Sequence, residues 1–248
     1  MIQKIGIIIP SYNEVANISL LTKKIFSFLP KATIVIVDDS NLQENKKLKA
    51  SLRSVISLNR KRIILVSRLK KLGRGSAVIT GLNEMLKNKT ILYFFEMDAD
   101  LAHDPKDFQK FLSAVTANNA DLVIGSRYLH ESRIIKWPIW RLVLSKFINT
   151  FINIWLGLKL SDYTNGFRLY NRNAVEFLTK TQLKEGGFIS LSEIAFRLKN
   201  NNFKIVEIPT SFTDRVYGKS SANCKEFVSS LIGLVRIKIS PIQFKVEL

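Results

Sequence analysis

An α/β fold with a mostly parallel central sheet is what this sequence predicts, and three observations predict it. Five short runs are almost continuously apolar and rich in Ile and Val: "KIGIIIP", "ATIVIVDD", "RIILVS", "TILYFFEMD" and "ADLVIGS". Strands covered on both faces read this way. Helical patterns around 17–28, 44–57, 75–86 and 105–117 separate them, and this alternation marks parallel strands joined by crossover helices. Four of the runs also end in polar residues, "SYNE", "DDSN", "DAD" and "GSRY". In such a sheet those ends share one edge, outside which ligands bind.

The elements follow in order. The opening run "KIGIIIP" is too short for a secretory leader, and "SYNE" stands where a cleavage region is needed. Between Ser57 and Gly75 lie Arg60, Lys61, Arg62, Arg68, Lys70, Lys71 and Arg74, with no acid. "GRGSA" (Gly73–Ala77) then starts a helix, and its amides either face a phosphate or simply begin the turn. The fourth run delivers Asp98 and Asp100 to its own end. Carboxylates at i and i+2 there can point towards one cation, and Mg²⁺ or Mn²⁺ typically uses one or two carboxylates plus substrate phosphates. His103 is either a neighbour of that site or a polar loop histidine. Asp104 before Pro105 reads as an N-cap with proline at the first helical position.

After "GSRY" the pattern loosens. The stretch 137–160 is long and apolar, but Arg141 and Lys146 interrupt it, which makes a poor membrane span. It fits a helix in a membrane interface or one packed on the core. The last helical stretch, 225–239, sets Phe227, Val228, Leu231, Leu234 and Val235 at helical spacing, as for an amphipathic helix docked on the core. The expected division is a catalytic domain over 1–220 and an amphipathic helix and tail over 221–248, packed on it or at a membrane surface.

Composition narrows the function. Of 248 residues, 46% are hydrophobic, enough for a sizeable core. One cysteine cannot form an internal disulfide. Lys+Arg less Asp+Glu is 38 − 20 = +18. That surplus implies an anionic partner (nucleic acid, a phosphate-bearing ligand or an anionic lipid surface) or a solvated lysine-rich surface. Two histidines disfavour histidine-based phosphoryl chemistry and a three-histidine zinc site. No G-x-S-x-G elbow or G-x-x-x-x-G-K-[ST] loop is present.

"IIPSYNE", "IVDDSN", "GRGSAVITG", "MDADLAHDP", "VIGSRY", "KWPIWRLVLS", "DYTNGFRLY", "GGFISLSEI" and "EIPTSFTDRVYGKS" occur in this order. Together they resemble the family 2 glycosyltransferases, above all those acting on polyprenyl phosphates, the dolichol-phosphate mannose synthases. The resemblance runs from about Ile5 to Ser220. It implies a nucleotide-sugar-binding fold of the glycosyltransferase A type. It also implies inverting transfer of a hexose, mannose first, from a nucleotide diphosphate sugar to dolichyl or undecaprenyl phosphate. GDP-mannose is the first donor and UDP-glucose the next, with Mg²⁺ or Mn²⁺ assisting.

By position, Pro10, Tyr12, Glu14, Val37 and Asp39 would hold the nucleoside. Asp98, Ala99 and Asp100 would meet metal and diphosphate. Arg127, Arg141 and Arg215 would meet phosphates, and Glu193 would lie near the sugar. Ala102 stands where relatives place a further metal ligand, and Ser221, close to Lys219, replaces the lysine usual after "G-x-S". The implied setting is peripheral, on the cytoplasmic face of an anionic membrane, directly or through a small anchoring subunit. No nucleic-acid partner is expected. Rival readings are the same fold with a glycan, lipid or protein acceptor, and a basic nucleic-acid- or lipid-binding protein without catalysis.

Overall fold

A seven-stranded sheet organises the chain in a computed structural model that describes residues 4–59, 62–214 and 224–239. The first half is a repeated strand–helix unit: β1 (Lys4–Ser11), α1 (Val15–Phe28), β2 (Thr33–Asp38), α2 (Leu42–Leu58), β3 (Ile63–Ser67), α3 (Arg74–Leu86) and β4 (Ile91–Glu96). A 3₁₀ turn at Pro105–Asp107 leads into α4 (Phe108–Ala117) and β5 (Leu122–Ser126). The Asp104 carboxylate accepts from the Lys106 amide, so the expected N-cap is present. The second half adds β6 (Arg133–Ile135), α5 (Ile139–Leu156), β7 (Arg168–Asn171), α6 (Arg172–Lys180), α7 (Ser190–Asn200), β8 (Ile205–Pro209), β9 (Ser211–Thr213) and α8 (Cys224–Ile239).

The sheet order is β3-β2-β1-β4-β7-β5-β8, and β6 pairs with β9 in a separate parallel ribbon. Pairing is parallel except around β7, which runs antiparallel to both β4 and β5. The strands are Ile- and Val-rich because both faces are covered. Ile8, Val35, Val37 and Phe94 point into a core under α3, α6 and α7. Ile7, Ile9, Ile34, Ile36 and Phe95 point into a second core under α1, α2 and α4. Successive residues thus serve opposite layers, as strand geometry demands. Gly81 lets α3 come this close, since a Cβ there would lie 2.5 Å from Ile8 Cγ2.

α5 packs on the core along one face and leaves the other exposed. Asn149, Ile152 and Leu156 face the core, whereas Ile139, Trp140, Val143, Leu144, Phe147 and Ile154 are exposed, Phe147 by 68% and Ile154 by 76%. α8 docks beside it through Gly233, Leu234 and Ile237. Trp155 Nε1 donates to the Leu234 carbonyl at 3.0 Å. Of the expected stripe, Leu234 is buried but Leu231 and Val235 are exposed, and the side chains of Phe227 and Val228 lie outside those described; the docked face approaches Glu185 closely, against which a Cβ at Gly233 would collide. Among the described residues, no helix is long and apolar enough to cross a membrane.

Candidate active site

The strand ends meet on one rim. At the end of β1, Ser11 Oγ donates to Asp38 Oδ1 at 3.0 Å, and the Asn13 amide donates to Ser40 Oγ at 2.8 Å. The buried Asp38 also accepts from Ser40 Oγ (2.7 Å) and Asn45 Nδ2 (2.7 Å), tying β1, β2 and α2 together. Pro10 and Glu14 sit half-buried along this loop, and Glu14 accepts from Asn17 Nδ2 at 2.6 Å. Tyr12 is exposed, with Lys71 Nζ 5.0 Å from its ring centroid. Asp39 reaches the rim with both oxygens engaged: Arg68 donates to Oδ1 (2.6 Å) and Oδ2 (2.8 Å), and the Leu72 amide to Oδ2 (2.8 Å). Val37 does not belong with them. Its side chain is fully buried under α3, because alternation along β2 turns it into the core.

The basic run 57–75 is accordingly no plain solvated face. Arg68 and Arg74 are spent on internal carboxylates, and Arg62 donates to the Pro30 carbonyl. Arg60 and Lys61 lie outside the described residues. In "GRGSA" the Gly75 amide donates to the Gly186 carbonyl at 3.0 Å and Ala77 to Gly73 at 3.0 Å, so these two amides serve the helix start. The side chain that matters there is Arg74.

Asp98, Asp100 and His103 form the next group. Arg74 Nη2 and Nε donate to Asp98 Oδ1 at 2.7 and 3.1 Å, and Nη1 donates to Glu96 Oε1 at 2.5 Å. Burial pushes the Asp98 carboxyl up, but Arg74 and then His103 outweigh it and hold the group well below the usual carboxylate range. His103 Nε2 lies 3.2 Å from Asp98 Oδ2. Since Asp98 is an anion, that nitrogen carries the proton. His103 is buried between Phe167 and Phe212, ring centroids 5.1 and 5.4 Å away, so it packs beside Asp98 and is not an exposed polar loop residue. Leu101 adopts φ 64, a left-handed conformation costly for a residue with a branched side chain. The turn it makes lets the Ala102 amide donate to Asp100 Oδ1 at 3.1 Å. The Thr213 amide pins the same loop at the Ala102 carbonyl, 3.0 Å.

Ala99 is the exception in this loop. It is buried in the α1/α2/α4 core and offers no side-chain ligand. Among the described residues, no group of three or more His, Cys, Asp and Glu is arranged to hold a metal. Two carboxylates are nevertheless a sufficient protein share for Mg²⁺ or Mn²⁺ when diphosphate and water complete the shell. Asp98 keeps 28% of its side chain exposed, and its Oδ2 is untouched by Arg74. Asp98 and Asp100 therefore fit such an ion, and Ala102 contributes no ligand.

The arginines differ. Arg127, at the end of β5, donates through Nε and Nη2 to Asp162, both at 2.8 Å, and through Nη2 to Thr164 Oγ1 at 2.6 Å. Burial pushes the Asp162 carboxyl up, and Arg127 more than reverses it. Arg141, near the start of α5, donates to Asp214 Oδ1 at 2.9 Å and lies 4.1 Å above Trp137. Trp137 Nε1 is a buried donor with no hydrogen-bond partner beside both guanidiniums. Arg215, Gly218, Lys219 and Ser221 lie outside the described residues. Glu193 is buried on α7, where it accepts from the Lys184 and Glu185 amides (2.8–3.1 Å) and from Arg197 Nε (2.8 Å). It holds the 184–185 loop and reaches no other site residue through these bonds, because helix and loop consume both its oxygens.

Sequence reasoning passed over Arg74's side chain, Glu96, Asp162 and Trp137 as site members. The signals were a cation directly after Gly73 and carboxylates at the end of β4, too far apart in sequence to be paired by spacing.

Comparison with known proteins agrees with this fold. The family description "Glycosyl transferase family 2" matches residues 6–179. The chain is 34% identical over 218 residues to polyprenol monophosphomannose synthase of Mycolicibacterium smegmatis, covering 88% of this chain and 80% of that one. It is 30% identical over 213 residues to undecaprenyl-phosphate mannosyltransferase of Micrococcus luteus, covering 86% and 85%. In fold it is similar to glucosyl-3-phosphoglycerate synthase of Mycobacterium tuberculosis solved with uridine diphosphate, with TM-score 0.63 and 17% identity over 96% of this chain and 79% of that one. A polar rim on a mostly parallel sheet, matched by sequence across most of its length, identifies the chain as a glycosyltransferase that belongs to glycosyl transferase family 2.

Proposed function

We propose that this enzyme transfers mannose from GDP-mannose to a polyprenyl phosphate with inversion at the sugar. The observation that carries the reading is the pair of relatives at 30–34% identity, both named for joining mannose to a polyprenol carrier. The geometry supports it. Asp98 and Asp100 follow the end of β4, and Arg141, partly exposed beside Trp137, is an arginine suited to phosphate.

In this reading Tyr12 and the rim around Pro10, Glu14 and Asp39 receive the nucleoside. Asp98 and Asp100 would hold Mg²⁺ or Mn²⁺, which would supply positive charge to the diphosphate. An acceptor phosphate oxygen attacks the anomeric carbon as the bond to the leaving diphosphate oxygen breaks. Charge builds on that leaving group, and fixed cations stabilise it. The acceptor is already an anion near neutral pH, so it needs orientation more than a base. Arg141 and the spare Trp137 N–H suit that task. Glu193, bonded as it is, is not the base we would choose.

The exposed apolar faces of α5 and α8, with Lys146, Arg236 and Lys238 among them, suit a peripheral position on a membrane that presents the lipid acceptor. The anionic cytoplasmic leaflet suits the basic surplus, by about 1 kcal/mol per surface Lys or Arg.

The test is transfer from labelled GDP-mannose to polyprenyl phosphate with Mn²⁺, against UDP-glucose and against soluble glycan acceptors. Asp100→Ala is expected to abolish transfer. Sugar transfer to a soluble acceptor but never to polyprenyl phosphate would favour the rival acceptor reading. Sedimentation with anionic vesicles, weakening as salt shortens the Debye length from about 10 Å at 0.1 M to about 3 Å at 1 M, tests the membrane position.

A further inference from the structure

Arg74 places a cation inside the acid cluster that the transfer reaction leaves without a task. It opens α3, and its guanidinium reaches across the sheet to Glu96 and Asp98. Glu96 has no exposed surface, and its other oxygen accepts from the Tyr170 hydroxyl at 2.6 Å. A buried carboxylate without a cation is costly, so Glu96 anchors Arg74 from beneath. Gly166 closes the other side. A Cβ there would overlap Arg74 Nη2 and lie 2.8 and 2.9 Å from the two Asp98 oxygens. Arg74 is therefore a fixed neighbour of Asp98, held by groups below the rim rather than by anything bound on it.

We propose that Arg74 is a built-in counter-ion that makes divalent-metal binding at Asp98 and Asp100 depend on a nucleoside diphosphate. This rests on the reading that those two aspartates hold the ion. Two N–H groups of Arg74 occupy Asp98 Oδ1, leaving Oδ2 to face a metal, with His103 Nε2 3.2 Å from it. A guanidinium hydrogen-bonded to the ligand opposes a second cation by charge repulsion and draws electron density from the carboxylate. A diphosphate brings several negative charges and its own hard oxygens, which reverse the local field. The metal then binds weakly alone and tightly with diphosphate. By thermodynamic reciprocity the diphosphate gains affinity from the metal by the same factor. Each is then held less tightly without the other.

The experiment is Mn²⁺ titration of the whole chain, read by the electron paramagnetic resonance of free Mn²⁺, alone and with saturating GDP or UDP. In the wild type we expect Mn²⁺ affinity to rise at least about tenfold with one of the diphosphates. Arg74→Gln should bind Mn²⁺ alone at least about tenfold more tightly than wild type, with the diphosphate effect reduced, and Arg74→Lys should stay weak because it keeps the charge. Arg74→Gln/Glu96→Gln, which leaves no buried carboxylate unpaired, should tighten in the same direction by a smaller factor. If neither glutamine variant tightens Mn²⁺ binding, the inference fails while the metal site stands. If Asp100→Ala binds Mn²⁺ as the wild type does under every condition, the ion sits elsewhere and the metal reading fails first.

Discussion

Arg127 and Arg141 approach the same indole in opposite conditions. Arg127 lies 5.5 Å from the Trp137 ring centroid with 7% of its side chain exposed, locked into a fully buried Asp162. Arg141 lies 4.1 Å from it with 30% of its side chain exposed, paired to an Asp214 that is itself 31% exposed. A desolvated pair must keep its partner, whereas a half-wet pair exchanges partners at little cost. The first arginine is therefore fixed in the wall of the fold, and in the proposed reading the second is the one that takes a phosphate.

Four experiments would break or sharpen that contrast. Arg127→Ala should have the largest effect, about 3–5 kcal/mol of stability, because it strands a buried carboxylate; urea unfolding measures it, and a loss below about 1 kcal/mol would remove the contrast. Arg141→Ala should lower kcat/KM about 10²–10³-fold while changing stability by less than about 1 kcal/mol. If it unfolds the chain as readily as Arg127→Ala, Arg141 is structural too.

Acid separates them next. The Asp162 carboxyl is depressed in the folded chain. Its stabilisation is present above the unfolded carboxyl pKa of about 4 and is lost as pH falls from there through the folded value. Wild type and Arg141→Ala should lose stability in parallel over that window. Arg127→Ala, with nothing holding Asp162 down, should fall less steeply, by up to about 1.4 kcal/mol per pH unit. Identical acid limbs in denaturant titrations would contradict this. The smallest effect belongs to Trp137→Leu, which removes the aromatic face under Arg141. A two- to fivefold rise in KM for the acceptor, about 0.5–1 kcal/mol, is expected, and an unchanged KM would make the stacking incidental.

The structure also shows where reading along the chain stops working. The five Ile/Val runs and their polar ends were legible because each strand is a local pattern whose faces are both covered. Alternation along β2 could have excluded Val37, whose side chain turns into the core under α3. The antiparallel β7 between β4 and β5 carried no comparable signal, since pairing direction depends on how the chain returns. The resemblance placed Glu193 near the sugar, and only the fold supplied the amides and the arginine that occupy it.

By itself the sequence determined the alternating α/β plan, the delivery of Asp98 and Asp100 to one strand end, the family and the excess of positive charge. These rest on residue type and short spacing. Only the tertiary structure decided which charges remain for a ligand. Asp162 comes to Arg127 from 35 positions away, Asp214 to Arg141 from 73, and Asp98 to Arg74 from 24. An ion pair's worth is set by the water excluded around it, and that exclusion exists only once the layers have packed.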